Sequence, residues 1–228
     1  MLLLPNIIMV VGIVGVDEVG RGPLAGPVVT CAVFFTEDFG TNILNDSKKL
    51  SSKKRKEILE KIREKVKYEI GIIWQDEIDD INILNATKLA MKNAIENLIK
   101  KNNIEIDQIL IDGNFIPELN INPNIKVESI IKGDQKIAEI MAASIIAKEF
   151  RDDLMIKLSK EFDQYGWQKN MGYGTKFHRE QIQKIGICKY HRKSFLKKFS
   201  CGYPEILKII FVLSLNNNDK NKGNEVIK

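Results

Sequence analysis

The chain has 228 residues, 44% hydrophobic and 29% charged, with 35 Lys and Arg against 30 Asp and Glu and a net charge of +5. That length is enough to bury one sizeable core, and the composition is that of an ordinary globular protein. Three scattered cysteines (Cys31, Cys188, Cys201) and two histidines are in no ligand spacing; they exclude a zinc site and read as reduced thiols of a cytoplasmic protein.

The apolar start of the chain lacks a basic leader and is interrupted by Pro5 and Asn6. It reads as a buried strand over 7–17, not a signal peptide or a membrane span. A second run rich in β-branched and aromatic residues, Val28 to Phe35, can pair with it as a hairpin around a Gly/Pro turn. Ser51 or Ser52 caps a helix with Ile58, Leu59, Ile62 and Val66 at helical spacing. Tyr68 to Trp74 is a third strand. Residues 85–101 form a helix with Leu89, Ala90, Ala94, Ile95 and Leu98 on one face. Residues 107–112 form a short strand ending in Asp112, before the turn Gly113-Asn114, and Ile125 to Ile131 forms another. Lys132-Gly133-Asp134 breaks the chain before a long helix from about Lys136 to Lys160. In that helix Ala142-Ala143-Ser144 permits a close neighbouring backbone. Thr175 caps a helix through Lys184. Residues 216–228, rich in Asn and Lys, read as a disordered tail. Alternating strands and helices after a hairpin favour an α/β layer fold with a mixed sheet.

Charge is uneven. From Lys148 to Ser200 there are 13 Lys/Arg against 6 Asp/Glu. That fits a polyanionic partner, with a solvated helix surface as the plain alternative.

The segment Asp17-Glu18-Val19-Gly20-Arg21-Gly22-Pro23-Leu24-Ala25-Gly26-Pro27-Val28 carries the most information. Gly20 to Ala25 matches a dinucleotide fingerprint formally, but a β-rich run follows where that fingerprint needs a helix. Two acids ending a strand offer hard oxygen ligands to a divalent cation. The Gly-Arg-Gly turn beside them offers backbone N–H groups to a phosphate or sugar. Asp112 ends another strand, and Asp134 opens a helix. Each has a plain reading, Asp134 as an N-cap and Asp112 as a turn residue. Carboxylates at strand ends nevertheless gather at one edge of an α/β sheet. Four together would repel by several kcal/mol unless cations neutralise them. Two Mg²⁺ or Mn²⁺ ions would do so and would support phosphodiester hydrolysis.

The chain resembles the bacterial ribonuclease HII family of type 2 ribonucleases H. The resemblance runs from about Ile13 to Phe195. Besides the opening segment it rests on Asp46-Ser47-Lys48-Lys49-Leu50, Asn82-Ile83-Leu84-Asn85-Ala86-Thr87, Ile111-Asp112-Gly113-Asn114 and Lys132-Gly133-Asp134. It rests further on Ala142 to Lys148 with Arg151-Asp152, on Gly172-Tyr173-Gly174-Thr175 with His178, and on His191-Arg192-Lys193-Ser194-Phe195.

The resemblance implies a ribonuclease H-like fold: a mixed five-stranded sheet flanked by helices, with a C-terminal helical extension. The expected domain spans 1–215, with a catalytic core at about 7–160 and an extension at about 161–215. It implies endonucleolytic cleavage of RNA in RNA–DNA hybrids, and nicking on the 5′ side of ribonucleotides embedded in duplex DNA to leave a 3′-hydroxyl and a 5′-phosphate. Asp17, Glu18, Asp112 and Asp134 carry over as metal ligands and catalytic residues. Gly20, Arg21 and Gly22 carry over as the element that recognises the 2′-hydroxyl, and Tyr173 as the ring stacked on the following deoxyribose. Ser47 and Lys48 are similar to phosphate-contacting residues. No obligate protein partner and no membrane are implied, and a monomer is expected. Ribonuclease HIII carries an extra domain before its first aspartate, whereas 16 residues precede Asp17 here. A non-catalytic hybrid-binding module would not need all four carboxylates. Asp152 and Asp153 are expected in salt bridges with Arg151 or Lys157. His178 and His191 stay open between a site role and a structural one, and Trp74 and Trp167 are expected to pack. Gly174 stands where many relatives have proline.

Overall fold

The computed structural model describes residues 12–37, 51–102 and 104–196. Five strands form one sheet in the order β3-β2-β1-β4-β5: β1 Ile13–Val19, β2 Val28–Phe35, β3 Val66–Ile73, β4 Gln108–Asp112 and β5 Lys126–Ile130. β1 and β2 are neighbours in the sheet, as a hairpin requires. β1 pairs with β4, and β4 with β5, in parallel. The helices are α1 Ser52–Ile62, α2 Gln75–Asn102, α3 Ala138–Ser159, α4 Trp167–Asn170, α5 Lys176–Ile185 and α6 Lys193–Leu196. The mixed sheet, its helices and the helical C-terminal part are those of the ribonuclease H-like fold.

Most predicted elements stand within a few residues, and two need correction. Val66 has helical spacing from Ile62, yet α1 ends at Ile62 and Val66 begins β3. A turn closed by the Lys65 N–H on the Ile62 carbonyl (2.9 Å) stops the helix. The second helix begins ten residues before position 85, at Gln75, and breaks at Asn82 (φ 67°, ψ 163°). There the Asn82 side-chain oxygen accepts from the Leu84 and Asn85 N–H groups (3.0 and 3.1 Å) and so caps the second segment. The first strand of the sheet begins at Ile13, and the predicted positions 7–11 lie outside the described residues.

The chain forms two compact units, each drawn from several stretches. Of the described residues, the first takes those up to Asp17, those within Thr30–Ile70 and those within Met91–Ile146. Its core sets Val14 and Val16 of β1, Ala32 of β2 and Ile109 and Ile111 of β4 against Met91, Ala94, Ile95 and Leu98 of α2. Those four helix positions follow the i, i+3, i+4, i+7 spacing of a single buried face. The N-terminal end of α3 also belongs here. A Cβ on Gly15 would lie 2.2–2.4 Å from Glu139 and Ile140 atoms, so the backbone of α3 meets the sheet at a bare glycine. Ala142 and Ala143 are fully buried, as their small size allows.

The second unit takes Glu18–Val29, Gly71–Ala90 and the described residues from Ala147 onward. One of its clusters joins Leu24, Ala25, Met155, Tyr165, Trp167, Ile182 and Leu196. Another joins Val28, Ile73, Ile78, Ala86 and Ala90. Trp167 is fully buried, whereas Trp74 is partly exposed beside Tyr190.

Candidate active site

In the first unit, parallel register brings the acids together. Val16 is opposite Ile111, so register sets Asp17 beside Asp112; Asp112 ends β4, whereas β1, expected to end at Asp17, runs two residues further to Val19. Asp112 is opposite Ile130, the last residue of β5. From there Lys132, in the left-handed region at φ 57°, turns the chain into a 3-10 turn at Gly133–Gln135 that carries Asp134. Ligand oxygens of Asp17, Asp112 and Asp134 all lie within 4.8 Å of one another. Asp17 and Asp134 are buried and Asp112 is half-buried. Asp112 Oδ1 accepts from the Gly133 N–H at 2.7 Å and, more weakly, from the Asp134 N–H at 3.4 Å. Asp134 thus sits in the turn before α3 and does not cap that helix.

Three carboxylates at this separation repel by about 3 kcal/mol per pair at an effective dielectric of 20. Oxygens around an octahedral ion at ~2.1 Å stand about 3–4.2 Å apart, so slight side-chain movement would fit this set to Mg²⁺ or Mn²⁺. The all-oxygen donor set suits such hard cations and not zinc. Among the described residues this is the one such cluster of three or more metal-ligating side chains.

Glu18 follows Asp17 directly but belongs to the second unit. There Arg21 Nη1 donates to its Oε1 at 3.3 Å. The Gly-Arg-Gly turn is held from beneath by two buried arginines, Arg151 of α3 and Arg192 just before α6. Arg192 donates to the carbonyls of Gly26 (2.9 Å), Arg21 (3.0 Å) and Gly20 (2.6 Å). Arg151 donates to the carbonyls of Pro27 (2.9 Å), Ala25 (3.2 Å) and Met171 (2.9 Å). Gly20 cannot be replaced without disturbing this arrangement: its φ is +90°, and a Cβ would lie 2.2 Å from Arg151 Nε. Burial lowers Arg151 to about 10. Burial, and then the charge of Arg151, lower Arg192 to about 9, so both are cations at neutral pH. Asp79 fixes the segment that follows Arg192, accepting from the Lys193 N–H (2.7 Å), the Ser194 N–H (2.9 Å) and the Ser194 hydroxyl.

Tyr173 stands in the same unit with its ring 40% exposed. The Arg151 guanidinium lies 6.0 Å from the ring centre, and a Cβ built on Gly22 would be 3.8 Å from the ring. The Tyr173 carbonyl is held by His178, whose Nδ1–H donates to it at 2.9 Å. The Cys188 N–H donates to His191 Nδ1 (3.0 Å), which places the His191 proton on Nε2. That N–H donates to His178 Nε2 (3.1 Å), which also accepts from the Trp167 indole N–H (3.2 Å). Both imidazoles are therefore neutral. Burial and the neighbouring His178 push His191 down to about 3, and burial lowers His178 as well. The histidines are structural supports of the tyrosine loop. Asp152 forms an ion pair, with Lys148 (2.7 Å) one turn away, a partner the sequence reading did not name.

Ser47 and Lys48 lie outside the described residues. The sequence does not mark Arg151 and Arg192 as supports of the turn, whereas of the two roles open to His178 the structure supports the structural one, at Tyr173. All three stand within family motifs, but arginine in sequence reads as a solvent-facing residue.

The sequence model of the family described as Ribonuclease HII matches residues 14–198. The chain belongs to the ribonuclease HII family. Membership makes it a ribonuclease H hydrolase, an endoribonuclease of RNA in RNA–DNA hybrids. The ribonuclease HII of Pelagibacter ubique (strain HTCC1062) is 51% identical over 181 residues, covering 79% of this chain and 94% of that protein. That of Clostridioides difficile (strain 630) is 50% identical over 184 residues, covering 80% of this chain and 69% of its own. Among solved structures, the PCNA:RNase HII complex from Archaeoglobus fulgidus matches with a TM-score of 0.63 at 25% identity, over 79% of this chain and 92% of that one. Bst-RNase HIII in complex with Mn²⁺ matches with a TM-score of 0.64 at 19% identity, over 92% of this chain and 71% of that one, a likeness of fold alone. Among the described residues, no helix is long and apolar enough to cross a membrane.

Proposed function

We propose that the protein cleaves the RNA strand of RNA–DNA hybrids and nicks duplex DNA on the 5′ side of an embedded ribonucleotide, leaving a 3′-hydroxyl and a 5′-phosphate. Residues 1–215 act as one type 2 ribonuclease H domain in a cytoplasmic monomer, with 216–228 as a tail. The observation that carries this reading is the convergence of Asp17, Asp112 and Asp134 within 4.8 Å.

In this reading Asp17, Glu18, Asp112 and Asp134 hold two divalent ions, Mg²⁺ or Mn²⁺. Bound ions supply the Lewis acidity of the reaction, easing loss of the water proton and offsetting charge on the leaving oxygen. The chain's own residues orient and select. The Gly133 N–H holds one oxygen of Asp112, and the carboxylate would still have a second oxygen to offer a cation. Asp17 is set within β1, beside Asp112 by register. The water oxygen attacks phosphorus and the bond to the 3′ oxygen breaks. No histidine serves as base, in keeping with the two neutral, buried imidazoles. Backbone groups of Gly20, Arg21 and Gly22 read the 2′-hydroxyl, the one group that tells RNA from DNA at a single position. The exposed Tyr173 ring packs on the next sugar, where a hydroxyl would crowd it. Ser47, Lys48 and the basic C-terminal third hold phosphates without regard to sequence.

The test is incubation of a DNA duplex bearing one ribonucleotide with the protein and Mg²⁺ or Mn²⁺. A nick 5′ to the ribonucleotide, with a 3′-hydroxyl end, is expected. An intact duplex with both metals would contradict the reading.

A further inference from the structure

Two links join the Gly20–Pro27 turn to the loop that carries Tyr173. One is a backbone bond, from the Leu24 N–H to the Gly172 carbonyl at 2.8 Å. The other is the Arg151 side chain. Its Nε and one terminal nitrogen grip the turn at Pro27 and Ala25, and its other terminal nitrogen grips the loop at Met171. Its charge also lies beneath the Tyr173 ring, 6.0 Å from the centre. Arg192, by contrast, donates its side-chain bonds to Gly20, Arg21 and Gly26, all on the turn. The two arginines are alike in burial and in using backbone carbonyls as acceptors, yet Arg151 alone of the two spans both elements with its side-chain hydrogen bonds. A planar guanidinium with fixed donor directions sets the distance between the carbonyls it bridges, which a single ammonium does not.

We propose that Arg151 is a positioning residue for sugar discrimination: it holds the turn that meets the 2′-hydroxyl at a set spacing from the ring that meets the next deoxyribose. The substrate class it governs is a ribose followed by a deoxyribose on one strand, as opposed to a continuous RNA strand, where no such step is present. The inference rests on the sugar-reading roles assigned above to Gly20–Gly22 and Tyr173. Arg151 acts through those elements and touches no reacting atom.

Arg151→Lys keeps the charge and the backbone link but loses the fork. The experiment measures kcat/KM of wild type, Arg151→Lys, Tyr173→Ala and the double variant on two duplexes, one with a single ribonucleotide in DNA and one with an all-RNA strand against DNA, beside their unfolding midpoints. Arg151→Lys is expected to lower the ratio of single-ribonucleotide to all-RNA cleavage about tenfold. In the Tyr173→Ala background the same substitution should move that ratio less than about twofold, because the two residues act as one unit. Arg192→Lys, gripping only the turn, should lower both activities in similar proportion. Should Arg151→Lys fail to fold, Arg151→Gln, which buries no charge, is measured in the same way. An unchanged ratio in a folded Arg151 variant, with a normal Tyr173→Ala loss, overturns the role of Arg151. A Tyr173→Ala variant whose ratio equals wild type overturns instead the tyrosine assignment on which the inference stands.

Discussion

The two working regions of this molecule are built on opposite electrostatic plans. At the acidic cluster, three carboxylates are pressed within 4.8 Å by strand register and a tight turn, and like charges face one another. At the glycine turn, two buried guanidinium groups place five donors on carbonyls of the turn and a sixth on Met171 of the tyrosine loop, so each charge is satisfied by the backbone it supports. The first region is complete only with cations supplied from outside. The second is organised by the chain itself. The chemistry of the protein should therefore depend on divalent metal, whereas its recognition of the sugar should not.

The substitution that separates the regions most sharply is Asp112→Asn. It removes one of the three clustered charges but keeps a side-chain oxygen that can accept from Gly133. Cleavage should fall about 10³-fold or more, the loss of several kcal/mol of transition-state stabilisation, while hybrid affinity stays within about threefold. Single-turnover assays beside a binding titration check this. Tyr173→Ala addresses the other region. If the ring packs on a deoxyribose as proposed, the substitution should weaken cleavage at a single ribonucleotide about tenfold more than cleavage of an all-RNA strand. Equal losses on the two substrates would leave the tyrosine merely structural.

The tyrosine loop also has its own pH dependence. Folded protein keeps His191 neutral down to about pH 3, whereas the unfolded chain takes up that proton below about 6.5. Stability from this group is thus full above pH 6.5 and is lost as pH falls toward 3, at up to about 1.4 kcal/mol per pH unit. His191→Asn should lower the unfolding midpoint at pH 7 and flatten its fall below 6.5 relative to wild type. Parallel curves would contradict the neutral network. The smallest effect belongs to Asp134→Asn in chelator, which relieves like-charge repulsion and should raise the unfolding midpoint by a few degrees. Mn²⁺ should abolish that advantage, as it stabilises only the wild-type cluster.

These two plans also explain what the sequence disclosed. An aspartate closing an apolar strand is legible, because parallel strands deliver their ends to one edge, and Asp112 ends β4; Asp17 meets it by register from inside β1, which continues to Val19. Strand and helix periodicity likewise located β2, β4, β5, α3 and α5. The helical turns of α2 before Asn82 were not legible, since the single apolar face lies over 85–101. The clue was Asn82, a residue that tolerates the left-handed region and caps helices. The arginine supports were not legible at all. Arg151 meets Pro27 across 124 residues and Arg192 meets Gly20 across 172, and nothing local marks an arginine that will bury itself against carbonyls.

The contrast between the regions is tested most directly by measuring one protein under two conditions. Wild type is titrated with a duplex carrying one ribonucleotide and with its all-DNA counterpart, in Mn²⁺ and in chelator, and cleavage is followed in the same samples. The account predicts that chelator abolishes the nick while the preference for the ribonucleotide duplex persists within about threefold. Cleavage that continues in chelator, or a sugar preference that vanishes with the metal, would contradict it.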